Sequence, residues 1–282
     1  MKKLPLLLIP VISILMAGPS FSQDTTTKKP AASPKKLVIK GSVDLPVTIA
    51  AAGWTMYGFA SISQKDGSSE AAVTALKKSD IPWFDRWAQR PYSRSVDKAS
   101  YLPFYAAVPY PPIFFALDKR MRKDYVKLTF LYLQAMSVTG AFYTSAVHYL
   151  SRYRPLVYSS ESPMNVRVSA NARNAFFAGH VALVATSTFF MARVFADYHP
   201  DSHWKWVVYG AAGAATAATA YMRSRAGEHF PSDIFVGTTI GVLSGLLTPH
   251  LHEEKLIHNQ RLSILPFAGS KGGQGLSLLY KL

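Results

Sequence analysis

Six uncharged segments dominate the pattern of apolar and polar positions along the chain. They cover residues 45–64, 99–117, 128–151, 174–192, 206–222 and 234–252. Uncharged runs of about 18 residues or more are long enough to cross a bilayer as helices. The fifth segment is marginal, at 17 residues. The pattern predicts an all-α fold, a polytopic membrane bundle of about five to six helices.

A soluble, all-helical enzyme with buried helices is the alternative to the membrane bundle. The apolar segments contain prolines and histidines, and the mean hydropathy is only +0.09. Composition favours the membrane, because 17% of the 282 residues are charged, against about a quarter in an average soluble domain. The last segment repeats glycine every fourth residue, at Gly237, Gly241 and Gly245, which predicts close approach of a neighbouring helix.

The flanking regions divide the chain further. Residues 1–22 combine two lysines, a short apolar core and small residues, the pattern of a secretory signal peptide. An uncleaved anchor is the alternative, although prolines and a glycine shorten the apolar core. After it we expect a flexible linker over residues 23–42 and an N-terminal helix with a basic interfacial region over 43–98. A core over 99–252 and a C-terminal tail over 253–282, able to form a β-hairpin, follow.

A short basic loop indicates how the helices are oriented. Residues 118–123, DKRMRK, carry four basic side chains, so the positive-inside rule places them in the cytoplasm. Residues 152–173 and 223–233 then share the outer face. A cleaved signal peptide would start residue 23 outside, and three crossings would leave residue 152 inside. One of the first three segments is therefore expected not to span, and the second, with PYPP in its middle, is the weakest helix.

The net charge of +15 limits the classes of molecule that the chain is expected to bind. Positive charge attracts nucleic acid, anionic lipid headgroups or a phosphorylated substrate. Nucleic acid is the least favoured of these in a chain with membrane-length helices, and we expect no nucleic-acid partner. No obligate protein partner is evident. The chain has no cysteine, which excludes disulfides and thiol chemistry.

Three polar segments carry the candidate chemistry, and the predicted topology puts them on one face. They read HYLSRYRP over 148–155, NARNAFFAGH over 171–180 and YMRSRAGEHFPSD over 221–233. In the third, Pro231 suits the first turn of a helix. His229 and Asp233 stand four residues apart there, so we expect the carboxylate to hydrogen-bond one imidazole nitrogen and leave the other free. The simpler interpretation is a helix cap beside a surface histidine.

Arginines outnumber acids around these segments. Between Asp124 and Asp197 the single acidic residue is Glu161, against six basic residues. Arginine binds phosphoryl groups through two parallel hydrogen bonds, and phosphoryl transfer mainly requires positioned positive charge. The pattern therefore favours phosphoryl transfer without a metal, and a zinc site fits worse because carboxylate ligands are few. Binding of lipid headgroups is the alternative.

The three segments resemble, in order and spacing, the signature motifs of the type 2 phosphatidic acid phosphatase superfamily. Arg154 and Pro155 match the first motif, although Val147 stands where its lysine would be. Gly179 and His180 match the second motif, while Ala178 replaces its serine. The third motif is matched by three residues, Arg223, His229 and Asp233. The resemblance covers roughly residues 99–250.

The resemblance implies a role for each matched residue. His229 would attack phosphorus and form a phosphohistidine, with Asp233 orienting it. His180 would protonate the leaving oxygen and later activate water. Arg154, Arg223 and the Gly179 N–H group would bind the phosphate oxygens. No cofactor and no metal are implied.

The departures from the motifs remove two expected phosphate contacts, at Val147 and Ala178. Three nearby residues are candidates to replace them: His148, Arg152 and Arg173. We expect a membrane phosphatase that hydrolyses a lipid phosphate or pyrophosphate at the periplasmic face of a bacterial inner membrane. A lipid phosphotransferase and an inactive protein that binds anionic lipid are the alternatives. A soluble acid phosphatase or a vanadate-binding haloperoxidase is less favoured.

Overall fold

The structure is a computed structural model, which describes residues 35–254 and the two strand segments 262–268 and 274–280. The predicted signal peptide and residues 23–34 of the predicted linker lie outside the described residues. The helices are α1 (Gly41–Ser63), α2 (Glu70–Ala75), α3 (Arg94–Ala107), α4 (Tyr110–Leu117), α5 (Tyr125–Tyr149), α6 (Met164–Arg167), α7 (Gly179–Tyr198), α8 (Trp204–Arg225) and α9 (Pro231–Leu251). Short 3-10 turns lie at Lys78–Asp80, Arg86–Ala88, Met121–Asp124, Pro155–Tyr158 and Ala170–Arg173.

The long helices connect two ends of the bundle. At the end that holds the three motif segments, called here the motif end, Ser61 at the end of α1 bonds His148 at the end of α5. At the opposite end, called the far end, Asp118 after α4 binds His199 after α7 at 3.0 Å. His252 after α9 likewise binds Asp44 in the first turn of α1 at 3.0 Å. Chain segments therefore alternate between the two ends.

The second apolar segment connects the two ends of the bundle. The proline-rich sequence does break it, because α3 ends at Ala107 and α4 begins at Tyr110. Yet Asp97 in α3 binds Arg223 at the motif end, whereas Asp118 lies at the far end. Helices of 14 and 8 residues are about 21 and 12 Å long, and together they match a hydrocarbon core of about 30 Å.

Exposed apolar side chains on α1 support the membrane interpretation. This helix is long and apolar enough to cross a bilayer, as are α7 and α9. Ile49 and Met56 of α1 are 62% and 73% exposed, which would be unfavourable in water but suits contact with lipid tails. In contrast α7 lies at the centre, with most of its length buried. The expected all-α membrane bundle is confirmed.

Close backbone contact holds α9 against α7, as the glycine repeat predicted. A Cβ atom at Gly237 would lie 2.7 Å from the Ala178 carbonyl oxygen, and one at Gly241 would lie 2.3 Å from that of Ala182. Small residues allow such contact where lipid provides no hydrophobic driving force. This packing fixes the start of α9, and with it the third motif, against the start of α7.

The N-terminal linker ends earlier than predicted. Within residues 23–42, Leu37 is buried and pairs with Glu253. The Val38 N–H group donates to the His252 carbonyl at 2.8 Å, and the Glu254 N–H group donates to that of Lys36 at 2.9 Å. The described start and end of the bundle therefore lie together at the far end.

The C-terminal tail contains the predicted β-hairpin. Strands β1 (Leu262–Ala268) and β2 (Gln274–Tyr280) are antiparallel, in a register that pairs Leu262 with Tyr280.

The packing of α7 on α9 can be tested with two glycine substitutions. Gly241→Ala places a methyl group against backbone, so we expect a loss of about 1–3 kcal/mol of stability and a lower Tm in detergent. Gly53→Ala is the matched control, because nothing lies within 4 Å of its Cβ position and alanine favours helix. Equal Tm values for the two variants would contradict the contact.

Candidate active site

The three motif segments come together at the motif end. Arg152 pairs with Asn174 in a short parallel bridge, and the Arg154 N–H group donates to the Ala172 carbonyl at 2.9 Å. These contacts join the first segment to the second. The Ala178 N–H group donates to the Asp233 carbonyl at 3.1 Å, which joins the second segment to the third.

His229 is buried and held by a backbone carbonyl. Its Nδ1 atom lies 2.7 Å from the Ala175 oxygen, and the side chain is 2% exposed. A carbonyl oxygen only accepts hydrogen bonds, so Nδ1 carries the proton and Nε2 keeps its lone pair. Burial, and then the positive charges of Arg223 and Arg154, hold the pKa of His229 well below its ordinary value of 6.5. The imidazole is therefore neutral, with Nε2 free to act as a nucleophile or base.

Asp233 makes no hydrogen bond to His229, so the contact expected from the sequence is not formed. One Asp233 oxygen accepts from the Phe230 N–H group at 2.8 Å, and the other accepts from Arg152. An acidic residue at the third position of a helix commonly reaches back in this way to the N-terminal backbone. Asp233 thus caps α9, as the simpler interpretation had it, while the backbone of Ala175 takes the orienting role. The histidine itself is buried, contrary to that simpler interpretation.

Arg152 is bound by carboxylates. It donates to Asp85 at 2.6 Å, to Ser232 at 2.8 Å and to Asp233, and its guanidinium lies 4.7 Å from the centre of the Phe230 ring. Asp85 also accepts from the Ser232 backbone at 3.1 Å. Arg152 was a candidate phosphate contact, and these bonds instead give it the role of fixing the start of α9.

Arg154 and Arg223 share one carboxylate. Glu228 accepts from Arg154 and, at 2.7 Å, from Arg223, and all three side chains are buried. Arg223 also donates to Asp97 at 2.6 Å. Arg154 donates to Asn171 at 2.9 Å. Burial, and then repulsion by Arg223, lower the pKa of Arg154 to about 10. Arg154 therefore remains charged at neutral pH.

Each of these two arginines keeps a buried donor without a partner among the described residues. The donors are the Nε atoms of Arg154 and Arg223. An unsatisfied buried donor costs about 1–3 kcal/mol, and more in a charged group. A cavity of about 80 Å³ is bordered by Arg154, Glu228 and Asp97. The arrangement is suited to an anion that accepts hydrogen bonds.

The prediction of a carboxylate-poor face is wrong. It considered the sequence between residues 124 and 197, whereas the acidic residues of the site come from outside that stretch. Asp85 and Asp97 precede it in the chain, and Glu228 and Asp233 follow it. Among the described residues, no group of three or more His, Asp or Glu side chains has an arrangement able to hold a metal ion.

His180 lies at the start of α7, between aromatic rings of α3. The centres of the Tyr101 and Phe104 rings are 4.7 and 5.1 Å from that of the imidazole. His180 lies close enough to His229 for the two imidazoles to interact electrostatically. The preceding residue, Gly179, allows the Tyr143 ring to approach, since a Cβ atom there would lie 2.6 Å from that ring.

The other two candidate phosphate contacts, His148 and Arg173, bond serine side chains. His148 is exposed and shares a 2.8 Å hydrogen bond with Ser61 of α1. Arg173 donates to Ser151 at 3.1 Å. The structure adds two residues to the site that the sequence did not single out: Asp85 and Asp97. Each precedes the motif segments by dozens of positions, and no local pattern marks it.

Residues 128–257 match the family model of the PAP2 superfamily. At the level of the family, the match supports a phosphatase. No curated protein matches the chain.

One solved structure is similar over much of the chain. It is the crystal structure of the first transmembrane PAP2 type phosphatidylglycerolphosphate phosphatase from Bacillus subtilis. The sequences are 17% identical and the TM-score is 0.41, over 74% of this chain and 92% of that one.

The low pKa of His229 predicts an effect on stability. Below pH 6.5 the unfolded chain binds a proton at His229 that the folded protein does not bind, so folding weakens as the pH falls. His229→Asn removes this titration, since an amide can still donate to Ala175. We expect the wild type to lose up to about 1.4 kcal/mol per pH unit more than the variant, measured as Tm in detergent from pH 7.5 to 5.5. His148→Asn serves as an exposed control, and parallel curves for wild type and His229→Asn would contradict the burial of a neutral imidazole.

Proposed function

We propose that the protein is a membrane phosphatase that hydrolyses a lipid phosphate or pyrophosphate through a phosphohistidine on His229. The observation that carries this proposal is the hydrogen bond from His229 Nδ1 to the Ala175 carbonyl. It leaves a neutral, lone-pair-bearing Nε2 in a buried site beside Arg154 and Arg223. A nucleophile next to fixed positive charge is what phosphoryl transfer requires.

In the first step, His229 Nε2 attacks phosphorus as the bond from phosphorus to the leaving oxygen breaks. Arg154 and Arg223 stabilise the negative charge that spreads over the other phosphate oxygens, through the Nε donors that have no partner among the described residues. The Gly179 N–H group, in the first turn of α7, is a further donor. His180 gives a proton to the leaving oxygen, which belongs to the lipid alcohol when the substrate is a monophosphate and to the lipid phosphate when it is a pyrophosphate.

In the second step, water attacks the phosphohistidine. His180 accepts a proton from that water, the bond between phosphorus and Nε2 breaks, and phosphate is released. His229 returns to its neutral form, with Nδ1 still bonded to Ala175. All the groups in this cycle belong to the chain, so the proposed mechanism needs no metal or other cofactor.

A lipid substrate is favoured by the surroundings of the site. The arginines lie at the end of a bundle whose outer helix, α1, exposes apolar side chains such as Ile49 and Met56. A substrate held in the bilayer by its lipid tail would reach the motif end laterally, with its phosphate at the level of the headgroups.

We place the motif end on the periplasmic side of a bacterial inner membrane. The basic loop 118–123 lies at the far end, and the positive-inside rule assigns it to the cytoplasm. Residues 35–38 lie at that same end. A cleaved signal peptide would release residue 23 outside, and the short polar segment that follows cannot cross a bilayer. A cleaved signal peptide and a periplasmic motif end are therefore incompatible predictions, and we retain the periplasmic motif end.

Phosphate release tests the proposed chemistry. Detergent-purified protein is incubated with a panel of lipid phosphates and pyrophosphates in the presence of EDTA. We expect release by the wild type, and at least a thousandfold loss in His229→Ala, because the nucleophile and its partners act as a unit. His148→Ala is the matched control, an exposed histidine bonded to Ser61, and should retain activity.

The intermediate gives a second readout. Wild-type protein quenched during turnover should carry acid-labile, base-stable phosphate, which His229→Ala lacks. Transfer of the phosphoryl group to an acceptor other than water would identify a phosphotransferase. A well-folded wild type that releases no phosphate from any lipid in the panel would overturn the proposal.

Orientation is tested by cysteine labelling, which the absence of native cysteine makes direct. Ser79→Cys probes the motif end and Lys119→Cys the far end, and both positions are exposed. In intact spheroplasts an impermeant maleimide should label Ser79→Cys and leave Lys119→Cys unmodified until the membrane is disrupted. The reverse pattern would place the site in the cytoplasm.

A further inference from the structure

The summed charge of the arginines and carboxylates at the site does not favour binding of a substrate that carries a second negative group. With all ionisable groups charged, three arginines face four carboxylates, so the sum is −1. These residues are Arg152, Arg154, Arg223, Asp85, Asp97, Glu228 and Asp233. A substrate with more than one phosphate group would need further positive charge close by.

Two cations next to this network have neutral partners. Lys65, just after α1, donates to the Val147 carbonyl at 2.8 Å and to the Asn174 side chain at 3.1 Å. Arg173 donates to the Ser151 hydroxyl at 3.1 Å. The ion pairs formed among the described residues involve neither Lys65 nor Arg173. An ammonium has three donors, so Lys65 retains one after making these two bonds.

The two cations lie on contacting segments, because Lys65 bonds Asn174 and Arg173 is the residue before Asn174. Burial, and then the positive charge of Arg173, lower the pKa of Lys65. Like charges repel, and holding them together without a carboxylate is unfavourable unless an anion binds between them. This arrangement indicates an anion-binding site.

The segment that carries Lys65 is fixed to the motif segments. The Ser68 N–H group donates to the Val168 carbonyl at 2.8 Å, and the Ser68 hydroxyl bonds that of Tyr153 at 2.8 Å. A Cβ atom at Gly67 would lie 2.4 Å from the Val168 oxygen, so glycine permits this close approach. Lys65 is therefore positioned by folded structure, although it lies outside the residues that match the superfamily.

The position of Lys65 relates it to the nucleophile. Its ammonium is bonded to Asn174, and the next residue, Ala175, holds His229. The cation and the imidazole are thus anchored to adjacent residues of one segment.

We propose that Lys65 and Arg173 form a second phosphate subsite, which binds an additional phosphate group of the substrate next to the one that His229 attacks. This inference rests on the proposed lipid phosphatase and narrows its substrate to lipids with two phosphate groups.

Matched substrates test the subsite. The monophosphate and the diphosphate of the same lipid alcohol are compared, together with a phospholipid that carries a phosphomonoester and an internal phosphodiester. Lys65→Ala should raise KM about tenfold or more for the substrates whose second phosphate the subsite binds. Neither kcat nor the KM for the monophosphate should change appreciably. The two substrates with a second phosphate distinguish a terminal diphosphate from a phosphodiester.

The variants include a conservative change and a control. Lys65→Arg keeps the charge and should restore most of the affinity, and Arg173→Ala should resemble Lys65→Ala. Lys78→Ala removes an exposed lysine of the neighbouring segment and should have no effect. An equal loss on monophosphate and diphosphate would assign Lys65 to the reacting phosphate or to folding, and would overturn the subsite. Unchanged KM values in Lys65→Ala would overturn it as well.

A binding measurement separates this inference from the proposed reaction. Calorimetry on the detergent-solubilised full chain compares methylenediphosphonate, whose P–C–P link is not hydrolysed, with methylphosphonate. We expect the wild type to bind the diphosphonate at least about tenfold more tightly and Lys65→Ala to lose this preference. Equal affinity in the wild type would overturn the subsite. A retained preference in a protein without phosphatase activity would support the subsite while rejecting the proposed function.

Discussion

Burial of two arginines at one end of an apolar bundle is the constraint on which the site depends. Arg223 is 1% and Arg154 is 5% exposed, and charges removed from water are strongly unfavourable unless they are paired and hydrogen-bonded. Glu228 meets this requirement by accepting from both. Because Glu228 precedes His229 in the chain, the same carboxylate that pairs the arginines also places the candidate nucleophile beside them.

Backbone packing positions the rest of the site. The glycines of α9 bring that helix against α7, and Asp233 and Asp85 fix the start of α9 through Arg152. His180, at the start of α7, is thereby set near His229. Most of these ion pairs fix the positions of side chains and of the start of α9. The donors suited to binding a phosphate are the Nε atoms of the two buried arginines, which have no partner among the described residues.

Several interactions had no signal in the sequence because they join distant positions. Asp97 binds Arg223 across 126 residues, and Lys65 binds Asn174 across 109. Counting acids within one stretch therefore missed the carboxylates of the site. The His229 and Asp233 spacing was compatible with a direct hydrogen bond and with a helix cap, and the choice depended on where the Ala175 carbonyl lies. Likewise, PYPP predicted a break in the second apolar segment but not that the two halves together cross the bundle.

The sequence by itself determined the all-α membrane class, the glycine contact on α9, the β-hairpin and the three motif segments. These features follow from local rules: apolar run length, small-residue spacing, turn residues and short motifs. The tertiary structure decided which partner each charged side chain has, which arginine donors have no partner among the described residues, and that Lys65 bonds Asn174. Buried charges are stabilised by the nearest opposite charge or carbonyl in space, and the folding of distant segments brings those partners together.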